Sequence, residues 1–170
     1  MLPDGGHAVR SLGVGHFERE HRRLDAQLHR HLLDVAGGDF SRARLRLRRW
    51  REALTRHIDI EENRLLPHVP GDARWAARVY RLEHERIAQL ADAYAARLDV
   101  VAGHPPRSER SRREAILLLL DAVHPLRHLL EHHHQREETA LAKELPDALQ
   151  EAAWDSAPAV PHDFRARAVR

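Results

Sequence analysis

The chain has 170 residues, enough for one domain with a real core and too few to expect two. Apolar residues make up 42% and charged residues 32%, which excludes disordered and collagen-like classes, and the low aromatic share of 5% beside abundant Ala, Leu, Arg and Glu favours helix over sheet. The formal net charge is only +2, from 28 basic and 26 acidic residues, so the sequence pI of about 9.6 reflects arginine's high pKa rather than a strongly basic surface. Without cysteine there is no disulfide and no thiolate ligand, so any metal must be held by nitrogen and oxygen.

Four stretches carry the i, i+3, i+4, i+7 apolar spacing of amphipathic helices. The first is predicted from about Ser11 to Ala36, with Phe17, Leu24, Leu28 and Val35 on one stripe, and stops at Gly37-Gly38. The second starts near Ser41, a candidate N-cap, carries Leu47, Trp50, Leu54, Ile58 and Leu65, and stops at Pro67. The third runs from about Asp72 through Tyr80, Ile87, Ala91 and Leu98 to Gly103. The fourth covers about Arg107 to Leu145, with Leu119, Val123, Leu126, Leu130 and Leu141 facing inward and Pro125 expected to kink or split it. Short connections imply antiparallel neighbours, so the expected fold is all-α, an up-down-up-down four-helix bundle over residues 11–150 with terminal extensions at 1–10 and 151–170. The helix is expected to continue past Pro146 as far as Trp154, and Pro158, Pro161 and the Arg-rich end are expected to form a loose tail. The longest purely apolar run, Ala115 to Leu120, is too short to cross a bilayer, and the N-terminus has no signal-peptide core; a cytoplasmic protein without membrane contact is expected.

Polar residues stand where these stripes demand core side chains. They are His21 on the first helix, His57 and Glu61 on the second, His84 on the third, and His133 and Glu137 on the fourth. Buried carboxylates are costly unless paired or metal-bound, and H-x-x-x-E spacing puts an imidazole and a carboxylate one turn apart on one face. The chain also echoes itself: EHRRLDAQL at 20–28 resembles EHERIAQL at 83–90, and HIDIEENRL at 57–65 resembles HHQREETAL at 133–141. That repeat suits a two-metal centre in which each carboxylate bridges. In the run His132-His133-His134, periodicity favours His133 with Glu137. His134 with Glu138 and His132 with Glu137 stay open as alternatives.

These segments, EHRRL, HIDIEENRLLP, EHERI and HHQREETAL, resemble the hemerythrin-like HHE cation-binding family over most of residues 11–146. The resemblance implies that His21, His57, His84 and His133 are terminal ligands and that Glu61 and Glu137 are bridges. The cofactor it implies is a pair of iron ions, oxo- or hydroxo-bridged, with zinc or manganese ranked behind. The function it implies is binding, sensing or scavenging of a small diatomic (O2 or NO) or peroxide. One turn before His84, where oxygen carriers of the family have a second histidine, this chain has Tyr80 as a ligand, a hydrogen-bond donor or a packed ring. That departure shifts the expectation from simple O2 carriage toward NO, peroxide or redox chemistry, and leaves a redox enzyme open.

The other histidines lack a partner at ligand spacing. His7, His16, His29, His31, His104, His124 and His162 are read as surface, and His68 and His128 as outer-shell candidates. E-x-x-H pairs at Glu18–His21 and Glu131–His134 raise a ferritin-like centre, ranked lower because Glu18 is off the apolar stripe. The rival from another class is a helical interaction or nucleic-acid-binding module built on the arginines of 41–52. Leucines and Trp50 at core spacing between those arginines make nucleic acid the weaker expectation.

Overall fold

Each of the four periodic stretches is a helix in the structure, a computed structural model that describes residues 15–155. They are α1 (His16–Ala36), α2 (Phe40–Ile60), α3 (Ala77–Gly103) and α4 (Glu109–Arg136), followed by the single turn α5 (Ala142–Glu144) and by α6 (Asp147–Asp155). No strand occurs among the described residues, and none of their helices is long and apolar enough to cross a membrane. The first residues of the predicted α1, the C-terminal tail, His7 and His162 lie outside the described residues.

The helix ends follow local chemistry, and several differ from the sequence expectation. α2 is capped by Asp39, whose carboxylate accepts from the Arg42 amide at 3.0 Å, and not by Ser41. Gly38 closes the tight turn before it with φ 73°, the left-handed region that glycine enters without a Cβ penalty. α3 begins only at Ala77. α4 is capped by Ser108, which forms a reciprocal capping box with Ser111. Pro125 does not split α4, which runs through it as one helix. Pro125 and Asp121, whose carbonyl loses its usual amide partner, are both exposed, so water can serve that oxygen.

α1 packs on α2 and α4, and α3 packs on α2 and α4. The buried stripes make two apolar clusters. The larger holds Leu24, Leu28, Leu47, Trp50, Leu54, Ile87, Leu98, Leu119, Val123, Leu126 and Leu130. The smaller gathers Phe17, Leu65, Leu66, Tyr80, Leu141, Leu145 and, from α6, Ala153 and Trp154. α6 therefore belongs to the packed body through Asp155. Ile58 is only half-buried, and its neighbour Ile60 takes the core position.

His31 corrects the sequence reading. It is fully buried, its Nδ1–H donates to the Ala43 carbonyl at 2.8 Å, and its Nε2 accepts from the Tyr94 hydroxyl at 2.8 Å. A histidine with both nitrogens satisfied inside the core is a structural crosslink among α1, α2 and α3. His68 and His128, expected near the centre, are exposed.

A candidate metal centre between two apolar clusters

Between those clusters lies a polar layer. His21, His57, Glu61, His84, His133 and Glu137 meet there, and each is at most 5% exposed. The two glutamates stand at the centre. Glu61 faces the Nε2 atoms of His57 at 3.0 Å and His84 at 3.3 Å. Glu137 faces those of His21 at 3.1 Å and His133 at 3.2 Å. The donor atoms fall into two quartets, His21–His57–Glu61–Glu137 and Glu61–His84–His133–Glu137, and within each quartet all lie within 4.8 Å of one another. Both glutamates belong to both quartets, the arrangement of two adjacent cation sites with shared carboxylates.

The helices prepare this layer where they depart from α geometry. Glu61 opens a π-helical turn, Glu61–Leu65, at the end of α2, and Glu137 opens another, Glu137–Leu141, at the end of α4. Such turns insert an extra residue and re-aim side chains, and they recur at functional sites. The repeat seen in the sequence is thus a repeat of backbone distortion too.

Three of the imidazoles are oriented from behind by a second carboxylate. Nδ1 of His21 bonds Glu138 at 2.7 Å, Nδ1 of His84 bonds Glu62 at 2.9 Å, and Nδ1 of His133 bonds Glu83 at 2.9 Å. A carboxylate can only accept, so each Nδ1 carries the proton and Nε2 is the atom turned to the centre. Glu83 is held in turn by Arg136 at 3.1 Å, whose guanidinium lies 4.4 Å from the centre of the Trp75 ring. Among the described residues no carboxylate stands behind His57; Trp154 stacks on it instead, with ring centroids 5.0 Å apart.

Among the described residues, seven buried atoms of this layer lack a hydrogen-bond partner: Nε2 of His21, His57 and His84, and both oxygens of Glu61 and of Glu137. Buried polar atoms are normally satisfied, and this cluster is costly unless positive charge sits among the carboxylates, supplied by a bound cation or, without one, by protons on the imidazoles. The residues fit a metal on that ground, and the all-nitrogen-and-oxygen donor set suits divalent first-row ions rather than soft ones. Electrostatics points the same way. Burial pushes both carboxylates up, with repulsion from Glu137 adding to this at Glu61, yet the surrounding histidines bring Glu61 down to about 2 and hold Glu137 well below the usual range. Burial would lower His21 and His84, but Glu137 and Glu61, with Glu138 also acting on His21, raise them to about 9 and about 10. In the bare protein these imidazoles carry the positive charge that a metal would bring.

The structure pairs His133, not His132 or His134, with Glu137; His132 is exposed. His134 is buried but joins neither quartet, and its ring stacks flat on His21 at 3.9 Å. Tyr80 is completely buried, its hydroxyl lacks a partner, and burial together with the charges of Glu144 and Glu137 raises its pKa. Of the E-x-x-H pairs, Glu18 turns away to Arg22, and Glu131 is exposed. Sequence reasoning missed Glu62 and Glu83, and it weighed Glu138 only as a partner of His134, not as the carboxylate behind His21. Their signal was present as the doublets Glu61-Glu62 and Glu137-Glu138 and as the glutamate just before His84. Comparison with protein-family models, with curated proteins and with solved structures finds no match.

Proposed function

We propose that this chain is a hemerythrin-like di-iron protein: an up-down-up-down four-helix bundle whose buried centre binds, senses or scavenges O2, NO or peroxide. The observation that carries the reading is the pair of His/Glu quartets sharing Glu61 and Glu137, with seven buried, unpartnered atoms among them. His21, His57, His84 and His133 would be the terminal ligands and the two glutamates the bridges. Bound iron would supply electrons and Lewis acidity to a small ligand.

The chain's own residues set the conditions. Glu138, Glu62 and Glu83 orient three ligands, and the apolar layers on either side keep bulk water out. Tyr80 stands one turn before His84 on the buried face of α3, and with its pKa raised it stays a neutral phenol that can donate a hydrogen bond. A position that offers a donor in place of a further imidazole favours NO, peroxide or redox chemistry over reversible O2 carriage, and redox catalysis is part of the proposal on that ground.

The test is metal analysis of the full chain produced with added iron. The expected content is one iron per quartet, two per chain, and Glu61→Ala, which removes a donor from both quartets, should lose both together. A stably folded chain that takes up no iron would refute the reading. Reversible O2 binding without oxidation would refute the preference drawn from Tyr80.

A further inference from the structure

Every ligand of the centre is nearly inaccessible, so a cation needs a way in. We propose that the groove between α1 and α4 is the route by which a divalent cation reaches the quartets; the inference rests on the metal-centre reading above. The groove has a volume of about 660 Å3 and is lined by Asp25 and His29 from α1, Arg127, Glu131 and His134 from α4, and Glu138. Three carboxylates face one guanidinium there, a local excess of two negative charges that concentrates cations.

The lining also grades from solvent to centre. Asp25 and Glu131 are exposed at the mouth. His134 forms the floor at 6% exposure, its Nδ1 is 3.6 Å from Asp25 Oδ1, and its Nε2 is buried without a partner. Its ring lies flat on ligand His21. Glu138 spans both sides, since it lines the groove and holds His21 Nδ1. A cation entering here meets oxygen, then imidazole, and then the first ligand.

Two comparisons within the molecule favour this face. The depression on the outer face of α2 sets Arg48, Arg51 and Arg56 against Glu52 and Asp59, a net positive lining, and the one on α1 is lined by four arginines and no carboxylate, so neither concentrates a cation. The internal repeat also breaks at this groove: the positions equivalent to Asp25, Glu131 and His134 are Ala88, Thr55 and Ile58. The ligands are duplicated, and the acidic mouth is not.

The test follows uptake of Co2+ into the metal-free full chain by its visible absorption, comparing wild type with Asp25→Asn/Glu131→Gln. Attraction between a divalent ion and one carboxylate across about 8 Å of water raises local concentration roughly fivefold, so with partial screening the double variant should load about tenfold more slowly at low salt. The difference should shrink to within about twofold near 0.5 M salt, where the Debye length is only a few ångströms. Final stoichiometry should match wild type. Glu109→Gln/Glu114→Gln, an equal charge change at exposed positions near the other end of α4, should load at the wild-type rate. Wild-type loading rates in the double variant, or equal slowing by the distal pair, would overturn the route while leaving the centre intact. A wild-type chain that takes up no metal would overturn both.

Discussion

Replacing Glu83 by Gln tests how the imidazoles are held. Its carboxylate accepts from His133 Nδ1 at 2.9 Å and from Arg136 at 3.1 Å, and its side chain is 16% exposed, against 36% for Glu62 and 34% for Glu138. Glutamine keeps an acceptor oxygen and removes the charge, so the variant isolates the charge-assisted part of the bond, roughly half of a contact worth about 1.5–3 kcal/mol. Outer carboxylates behind metal-bound histidines typically contribute about 10–100-fold in metal affinity. Half of that contact, about 0.75–1.5 kcal/mol, corresponds to roughly 4–13-fold, so Glu83→Gln, at the more sheltered site, is expected to weaken binding about 10-fold and the same change at the better-screened Glu62 and Glu138 about 4-fold each. Competition against a chelator of known affinity, with Zn2+ or Fe2+ as the probe, measures all three. Wild-type affinity in Glu83→Gln, or a larger loss at Glu62 than at Glu83, would refute the claim that these carboxylates fix the ligand geometry.

Metal uptake should release protons. His21 and His84, raised to about 9 and about 10, are charged in the bare protein near neutral pH and must be neutral as ligands, so about two protons should leave per filled centre, as calorimetry in buffers of different ionisation enthalpy would record. Because their folded pKa values lie above the ordinary histidine value of 6.5, they stabilise the metal-free fold fully below that pH and lose this contribution as pH rises through 9 to 10, while metal affinity climbs over the same window. His31 has the opposite sign: burial, only partly opposed by the Ala43 carbonyl and Asp34, lowers its pKa, so its contribution is present above pH 6.5 and lost as pH falls toward the lowered value. Urea unfolding at mildly acid and neutral pH should show that sensitivity in wild type and not in His31→Leu, which should itself cost about 1–3 kcal/mol by stranding the Tyr94 hydroxyl, with Tyr94→Phe recovering part of it. Trp154→Ala should cost about 3 kcal/mol in thermal or chemical unfolding, because the ring packs edge-on against Phe17 and face-on against His57.

The six inward residues were legible because helical periodicity makes a strong statement about which positions are buried, and a His or Glu at such a position contradicts it unless something binds there. His31 shows the limit of asking a narrower question. It lies on the same buried stripe as Phe17, His21, Leu24, Leu28 and Val35, yet was read as surface because no partner stood at ligand spacing. The stripe was the better guide, and its partners, the Ala43 carbonyl and the Tyr94 hydroxyl, come from other helices, which no spacing within α1 can show. The outer carboxylates stood in view as doublets and as the residue before His84, but their role was not legible, for a related reason. Glu62, Glu83 and Glu138 adjoin a ligand in sequence and so point about 100° away around the helix, toward the seam with a neighbour. Whether a side chain there meets a histidine or water depends on how the helices pack: Glu20 precedes His21 as Glu83 precedes His84, yet Glu20 turns out to Arg23.

The repeat has a consequence for assembly that neither copy shows alone. One copy contains His21, His57 and Glu61, the other His84, His133 and Glu137. Each H-x-x-x-E pair stays within its copy, but the lone histidines cross over: His21 faces Glu137 and is oriented by Glu138, and His84 faces Glu61 and is oriented by Glu62. His133, too, is oriented across helices, by Glu83 of α3. Either copy alone therefore presents an incomplete quartet with its lone histidine unoriented, and both quartets come together only when α1 and α2 pack against α3 and α4. A cation bound by donors from both copies favours the packed state by the difference between its affinity for the complete quartet and for the incomplete one. In the bare protein, the protons on His21 and His84 neutralise part of the buried negative charge, so the same interface that completes the centre also keeps the metal-free helices from repelling one another apart.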